Sequence, residues 1–199
     1  MQAPGPTDAL LVVDVQNDFL PGGALGIAGG DRIIAPLNRL LQAWRARGLP
    51  TILSRDWHPP AHCSFAAQGG PWPEHCVAGT PGADFSAGLT RASSDRVISK
   101  ATHLDKDAYS ALDGTPLGAL LRERSIKRLF IGGLATDYCV RATGLDARAT
   151  GLEVVVLADA VCAVDVRPDD GKRALGELAA AGCELATTDD VLRAMGTAA

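Results

Sequence analysis

The chain has 199 residues, 47% hydrophobic and 21% charged, enough to close a sizeable core, and the expectation is one domain over 1–199. A formal charge of −4 with no long Lys/Arg run argues against a nucleic-acid or anionic-membrane partner and points to a small molecule; oligomeric state, including a homo-oligomer, is left open. No apolar run approaches the ~20 residues of a membrane span, no basic and apolar leader precedes the first strand, and five irregularly spaced cysteines do not suggest a disulfide framework, so the expected location is cytoplasmic.

The first predicted strand is "LLVVDV" (10–15), a β-branched run buried on both faces that carries Asp14 near its end. "DRIIAPLNRLLQAWRARG" (31–48) follows as an amphipathic helix, with Ile33, Ile34, Leu37, Leu40, Leu41 and Trp44 at helical spacing and Gly48 as the stop. A second strand, "PTILSRD" (50–56), ends on Asp56. Residues 57–95, rich in Pro, Gly and His, are too long for an ordinary connection and read as a functional loop. Next come a strand at 96–100 ending on Lys100, a helix in "TPLGALLRERSI" and a strand at 128–133. The chain continues with a helix in "DYCVRATGLDARATG", a strand at 153–159 ending on Asp159, a helix in "RPDDGKRALGELAAAG" and a weaker strand over 183–190. This alternation predicts an α/β fold, a three-layer α/β/α arrangement around a mostly parallel, doubly wound sheet of about six strands.

In such sheets the chemistry sits beyond the carboxyl ends of the strands, and there the sequence puts Asp14, Asp56, Lys100, the turn around Cys139 and Asp159. Singly, each has a bland reading: an Asp after a strand caps a helix, and a lone Cys is a small buried hydrophobe. Together they read as a site. A helix starting near Tyr138 puts Cys139 in its first turn, where unpaired N–H groups and the macrodipole favour an anion and are expected to lower the thiol pKa. Each unit of lowering is ~1.4 kcal/mol in favour of the nucleophile. With Lys100 as cation and Asp14 as proton acceptor, this is a Cys–Asp–Lys arrangement for acyl transfer, in which backbone N–H groups hold the oxyanion.

Five ordered blocks, "VVDVQNDF", "SRDWHPPAHCSF", "WPEHCVAGTPGADF", "SKATHLDKDAYSAL" and "GGLATDYCV", resemble the nicotinamidases of the isochorismatase-like cysteine hydrolases over roughly residues 10–165. The resemblance implies hydrolysis of nicotinamide to nicotinate and ammonia through a Cys139 thioester, with pyrazinamide as a further substrate. It implies Asp14 as proton carrier, Lys100 as charge stabiliser, and a cis Leu134–Ala135 peptide that turns the N–H groups of Ala135 and Cys139 toward the substrate oxygen.

The resemblance also raises a metal reading. Asp56 and His58, one residue apart on an extended segment, emerge on the same side, and His75 would arrive from the long loop. The trio suits one divalent zinc, iron or manganese ion, which in this family grips the pyridine nitrogen. His62, Ser64 or a water could complete the shell. Without the resemblance, "DWHPPAHC" would be a solvated proline-rich turn. Phe19, Trp72, Tyr109 and Tyr138 fall inside the matched blocks and suggest a flat-ring pocket with Leu25, Leu134 and Ala135 as walls; Tyr109 and Tyr138 could equally cover loop edges. Trp44, Cys162 and Cys183 read as core, Cys63 and Cys76 as loop packing, His103 as solvated and Asp159 as a cap. A dinucleotide-binding oxidoreductase is disfavoured because no G-x-G-x-x-G follows the first strand. A non-catalytic relative would be marked by loss of Asp14, Lys100 or Cys139, and none is lost. Another isochorismatase-like amidase or hydrolase, acting on a different small amide or ether, is the nearer alternative.

Overall fold

The computed structural model describes residues 1–197, so the last two residues of the 1–199 span lie outside the described residues. Six strands form one sheet in the order β3-β2-β1-β4-β5-β6, all neighbours parallel. They are β1 (Asp8–Val13), β2 (Thr51–Asp56), β3 (Arg96–Lys100), β4 (Arg128–Leu134), β5 (Glu153–Cys162) and β6 (Glu184–Ala186). Between and after them run α1 (Ile34–Ala46), α2 (Leu117–Glu123), α3 (Arg141–Ala149), α4 (Asp170–Ala180) and α5 (Thr188–Ala194).

Continuous apolar strands split their side chains between two cores because Cβ direction alternates along a strand. Leu10, Val12, Phe130 and Val155 pack with α1 and α5 on one face, whereas Leu11, Val13, Ile131 and Val156 pack with α2, α3 and α4 on the other. Trp44 of α1 is fully buried, stands edge-on to Phe130 and donates its indole N–H to the Pro50 carbonyl at 2.9 Å. Chain order reverses between β1 and β4, so the crevice beyond their carboxyl ends is the switch point of the sheet. The backbones come very close there: a Cβ on Gly133, whose φ is +126°, would lie 2.0 Å from the Val13 carbonyl oxygen, so only glycine fits.

Several expected boundaries move: the first strand, expected over 10–15, runs Asp8–Val13, and the helix expected from about Tyr138 starts at Arg141 after a π-type turn. The sixth strand, expected over 183–190, stops at Ala186, because Thr187 and Asp190 form a reciprocal capping box that opens α5. Asp159 lies inside β5, where the register against β4 shifts, and not at a strand end. Its carboxylate accepts the N–H and hydroxyl of Thr188 at 2.8 and 2.6 Å, which anchors α5. Cys183 is buried, but Cys162 is only half-buried at the rim of its core. Among the described residues no helix is long and apolar enough to cross a membrane.

Candidate active site

Three strand ends deliver the reactive groups. Asp14 follows β1 in a left-handed turn (φ +49°), Lys100 is the last residue of β3, and Cys139 sits in a π-type turn (Thr136–Val140) that leads from β4 into α3. All three are buried. Lys100 Nζ lies 3.4 Å from Cys139 Sγ and 3.1 Å from Asp14 Oδ2, and it donates to Asp56 Oδ1 and, at 3.1 Å, to the Ala108 carbonyl. Asp14 Oδ1 accepts the Ser54 hydroxyl at 2.7 Å. Its Oδ2 has no hydrogen-bond partner among the described residues although the ammonium is close. Acceptor atoms of Asp14 and Asp56 and the sulfur of Cys139 lie within 4.8 Å of one another.

Burial sets the electrostatics. Asp14 is pushed up to about 6 by desolvation, against the pull of Lys100. Desolvation also opposes ionisation of Asp56, yet the adjacent ammonium and histidines bring it below the usual carboxylate range. Lys100 is held well above its ordinary value: burial works against its charge, but Asp14 and Asp56 outweigh that. Burial pushes the Cys139 thiol well up, with Lys100 only partly offsetting it. This runs opposite to the expected lowering of the thiol pKa: desolvation of the buried residue is the largest contribution.

On the far side of Asp56, one donor atom each from Asp56, His58 and His75 lies within 4.8 Å of the others, all three residues buried. Asp56 Oδ2 is 3.8 Å from His58 Nε2. Both ring nitrogens of His58 are buried without a hydrogen-bond partner, and burial holds its pKa down to about 4, so the ring keeps its lone pair. His75 Nδ1 sits 2.8 Å from the Pro73 carbonyl, which fixes its proton there and leaves Nε2 as donor. An orphaned, neutral imidazole beside a carboxylate and a second oriented imidazole fits a divalent metal. His62 is buried with its ring 4.3 Å from that of His58, but its nitrogens face Ser64 Oγ at 2.8 Å and the Lys106 carbonyl at 3.2 Å. Ser64 lines the cleft.

That cleft is lined by Phe19, Leu25, Trp72, Tyr109, Ala135, Tyr138 and Val164 together with Cys139, His58 and His75. Trp72 donates to the Tyr109 hydroxyl at 2.9 Å and stands edge-on to Tyr138. Leu134, expected as a wall, is fully buried in the core, because its side chain points back into the sheet layer. The Leu134–Ala135 peptide is cis. His103 is exposed.

Sequence reasoning missed four contributors. Ser54 supports Asp14, and a fully buried serine directly after the apolar pair Ile52–Leu53 was the available signal. Gln16, fully buried, donates to the Asp56 and Ala83 carbonyls and accepts the Asp56 N–H, pinning the long loop to β2. Asp107 and Val164 line the cleft with no sequence signal of their own.

The isochorismatase domain model matches residues 8–190. The chain belongs to the isochorismatase family. It is 39% identical to the nicotinamidase of Escherichia coli, covering 93% of this chain and 97% of that protein. The solved pyrazinamidase of Pyrococcus horikoshii in complex with zinc superposes with a TM-score of 0.88 at 47% identity, over 92% of this chain and 99% of that one. The L. infantum protein in complex with nicotinate gives 0.86 at 36%, over 95% and 96% of the two chains.

Proposed function

We propose that the protein is a hydrolase of small aromatic carboxamides that converts nicotinamide to nicotinate and ammonia, and that it also accepts pyrazinamide. The observation that carries the reading is a buried thiol 3.4 Å from Lys100, next to an Asp14 oxygen without a partner, in an aromatic-lined cleft. The similarity to nicotinamidases and to a zinc-bound pyrazinamidase supports the choice of substrate.

Asp14 takes the Cys139 proton as the sulfur bonds to the carboxamide carbon, and the N–H groups of Ala135 and Cys139 hold the oxyanion. Asp14 then returns the proton to the departing nitrogen, so ammonia leaves and a thioester remains. A water, giving one proton to Asp14, attacks that thioester; Asp14 passes that proton to the departing sulfur, which restores the thiol, and nicotinic acid leaves, losing its own proton to solvent or ammonia to become nicotinate. Lys100 keeps Asp14 and Asp56 compatible in one dry site and stabilises the thiolate while it exists. Asp56, His58 and His75 would hold a divalent ion, which when bound supplies a Lewis-acid anchor for the ring nitrogen. Phe19, Trp72 and Tyr138 confine a flat ring.

The test is ammonia release by purified protein, with bound metal quantified in the same sample. Nicotinamide should be hydrolysed and benzamide, which lacks the ring nitrogen, should be poor. Equal cleavage of the two, both requiring metal, would overturn the ring-anchoring reading.

A further inference from the structure

The chemistry above uses each charged side chain of the cleft except one. Asp56, His58 and His75 belong to the donor trio, but Asp107 lines the same cleft and has no part in the steps described. It is half-buried, on the segment after β3. Its Oδ1 accepts the N–H of Ala108 at 2.9 Å, and among the described residues it forms no ion pair. The adjacent Lys106 turns away to Asp113, 2.8 Å distant. The next residue fixes Asp107 relative to the reacting centre: the Ala108 carbonyl accepts from Lys100 at 3.1 Å, and Lys100 lies 3.4 Å from the sulfur.

Amide hydrolysis changes the charge of the cleft's occupant. A neutral carboxamide and water enter; a carboxylate leaves, its acid proton ending on the released ammonia as ammonium. The carboxylate forms at Cys139, in the cleft that Asp107 lines. A fixed negative charge in a partly desolvated cleft leaves the bound amide almost unaffected but raises the free energy of the bound acid. We propose that Asp107 discriminates by charge, disfavouring aromatic carboxylates in the cleft and so hastening departure of the acid product. This rests on the amidase reading and deepens it. A bland role, capping the Ala108 N–H, makes a different forecast, because asparagine or serine would keep an oxygen acceptor while removing the charge.

The experiment compares the unmodified protein with Asp107→Asn, Asp107→Ser and Asp107→Glu. For each it measures KM for nicotinamide, the inhibition constant for nicotinate, and direct nicotinate binding by calorimetry at low and high salt. The ratio of the nicotinate constant to KM should fall about three- to tenfold in the Asn and Ser variants, return in the Glu variant, and narrow its spread at high salt. An unchanged ratio in folded Asn and Ser variants, or a Glu variant that behaves like Asn, overturns the proposal. If the unmodified protein releases no ammonia from nicotinamide, the nicotinamide reading fails and carries this inference with it. That result is distinct from an active enzyme whose ratio does not move.

Discussion

β1 has a buried carboxylate at each end, and the two are treated in opposite ways. At its start, Asp8 meets Arg128 through a two-pronged pair at 3.0 and 2.8 Å, and the Gly5 N–H adds a third bond at 2.7 Å. One anion faces one cation, and both carboxylate oxygens are partnered. Just past the other end, Asp14 shares a single ammonium with Asp56, keeps one oxygen without a hydrogen bond, and sits in left-handed backbone. The first arrangement spends charge on structure. The second leaves it incompletely matched, which is the condition under which protons can be moved.

Substitutions at the two ends should separate these roles. The largest effect belongs to Lys100→Ala, which leaves two buried carboxylates together without a cation; a loss of about 3–5 kcal/mol in urea unfolding is expected, together with loss of turnover. A variant with native stability would show that the ammonium does not hold the pair. Removing metal with a chelator should lower nicotinamide turnover by about a hundredfold, while a small alkylating agent still modifies Cys139 at a similar rate. Loss of alkylation on chelation would place the metal in the activation of the thiol.

Arg128→Ala strands the buried Asp8 carboxylate and should cost about 2–3 kcal/mol of stability, with kcat/KM of the folded fraction within about twofold of normal. A fall in kcat/KM beyond that would deny the division between the ends. Ser54→Ala removes one hydroxyl from Asp14 and should cost about 1 kcal/mol, with a several-fold drop in kcat and an unchanged midpoint of thermal unfolding within a few degrees. An unaltered kcat would reduce Ser54 to a packing residue.

Much of the fold was legible because parallel strands buried on both faces are written as apolar runs, and "LLVV" and "LFIGG" lie within β1 and β4, while β2 shows only the shorter "IL". "TTDD" follows a weak strand signal directly, and only the Thr187–Asp190 spacing marks the helix start there. At the site, Asp14, Asp56 and Lys100 stood out as ionisable residues at the ends of apolar runs. Ser54 and Gln16 did not, since each acts through a partner on another segment. The protonation of Cys139 was misjudged for a related reason: a helix start is visible in sequence, but desolvation depends on everything packed around the sulfur.

The central claim is that Cys139 makes the covalent bond. The most direct measurement is ammonia release from nicotinamide by metal-loaded Cys139→Ala, with its thermal unfolding recorded alongside. Turnover should fall by at least about a thousandfold while the unfolding midpoint stays within a few degrees. Turnover near that of the unmodified protein, in the same folded variant, would contradict it.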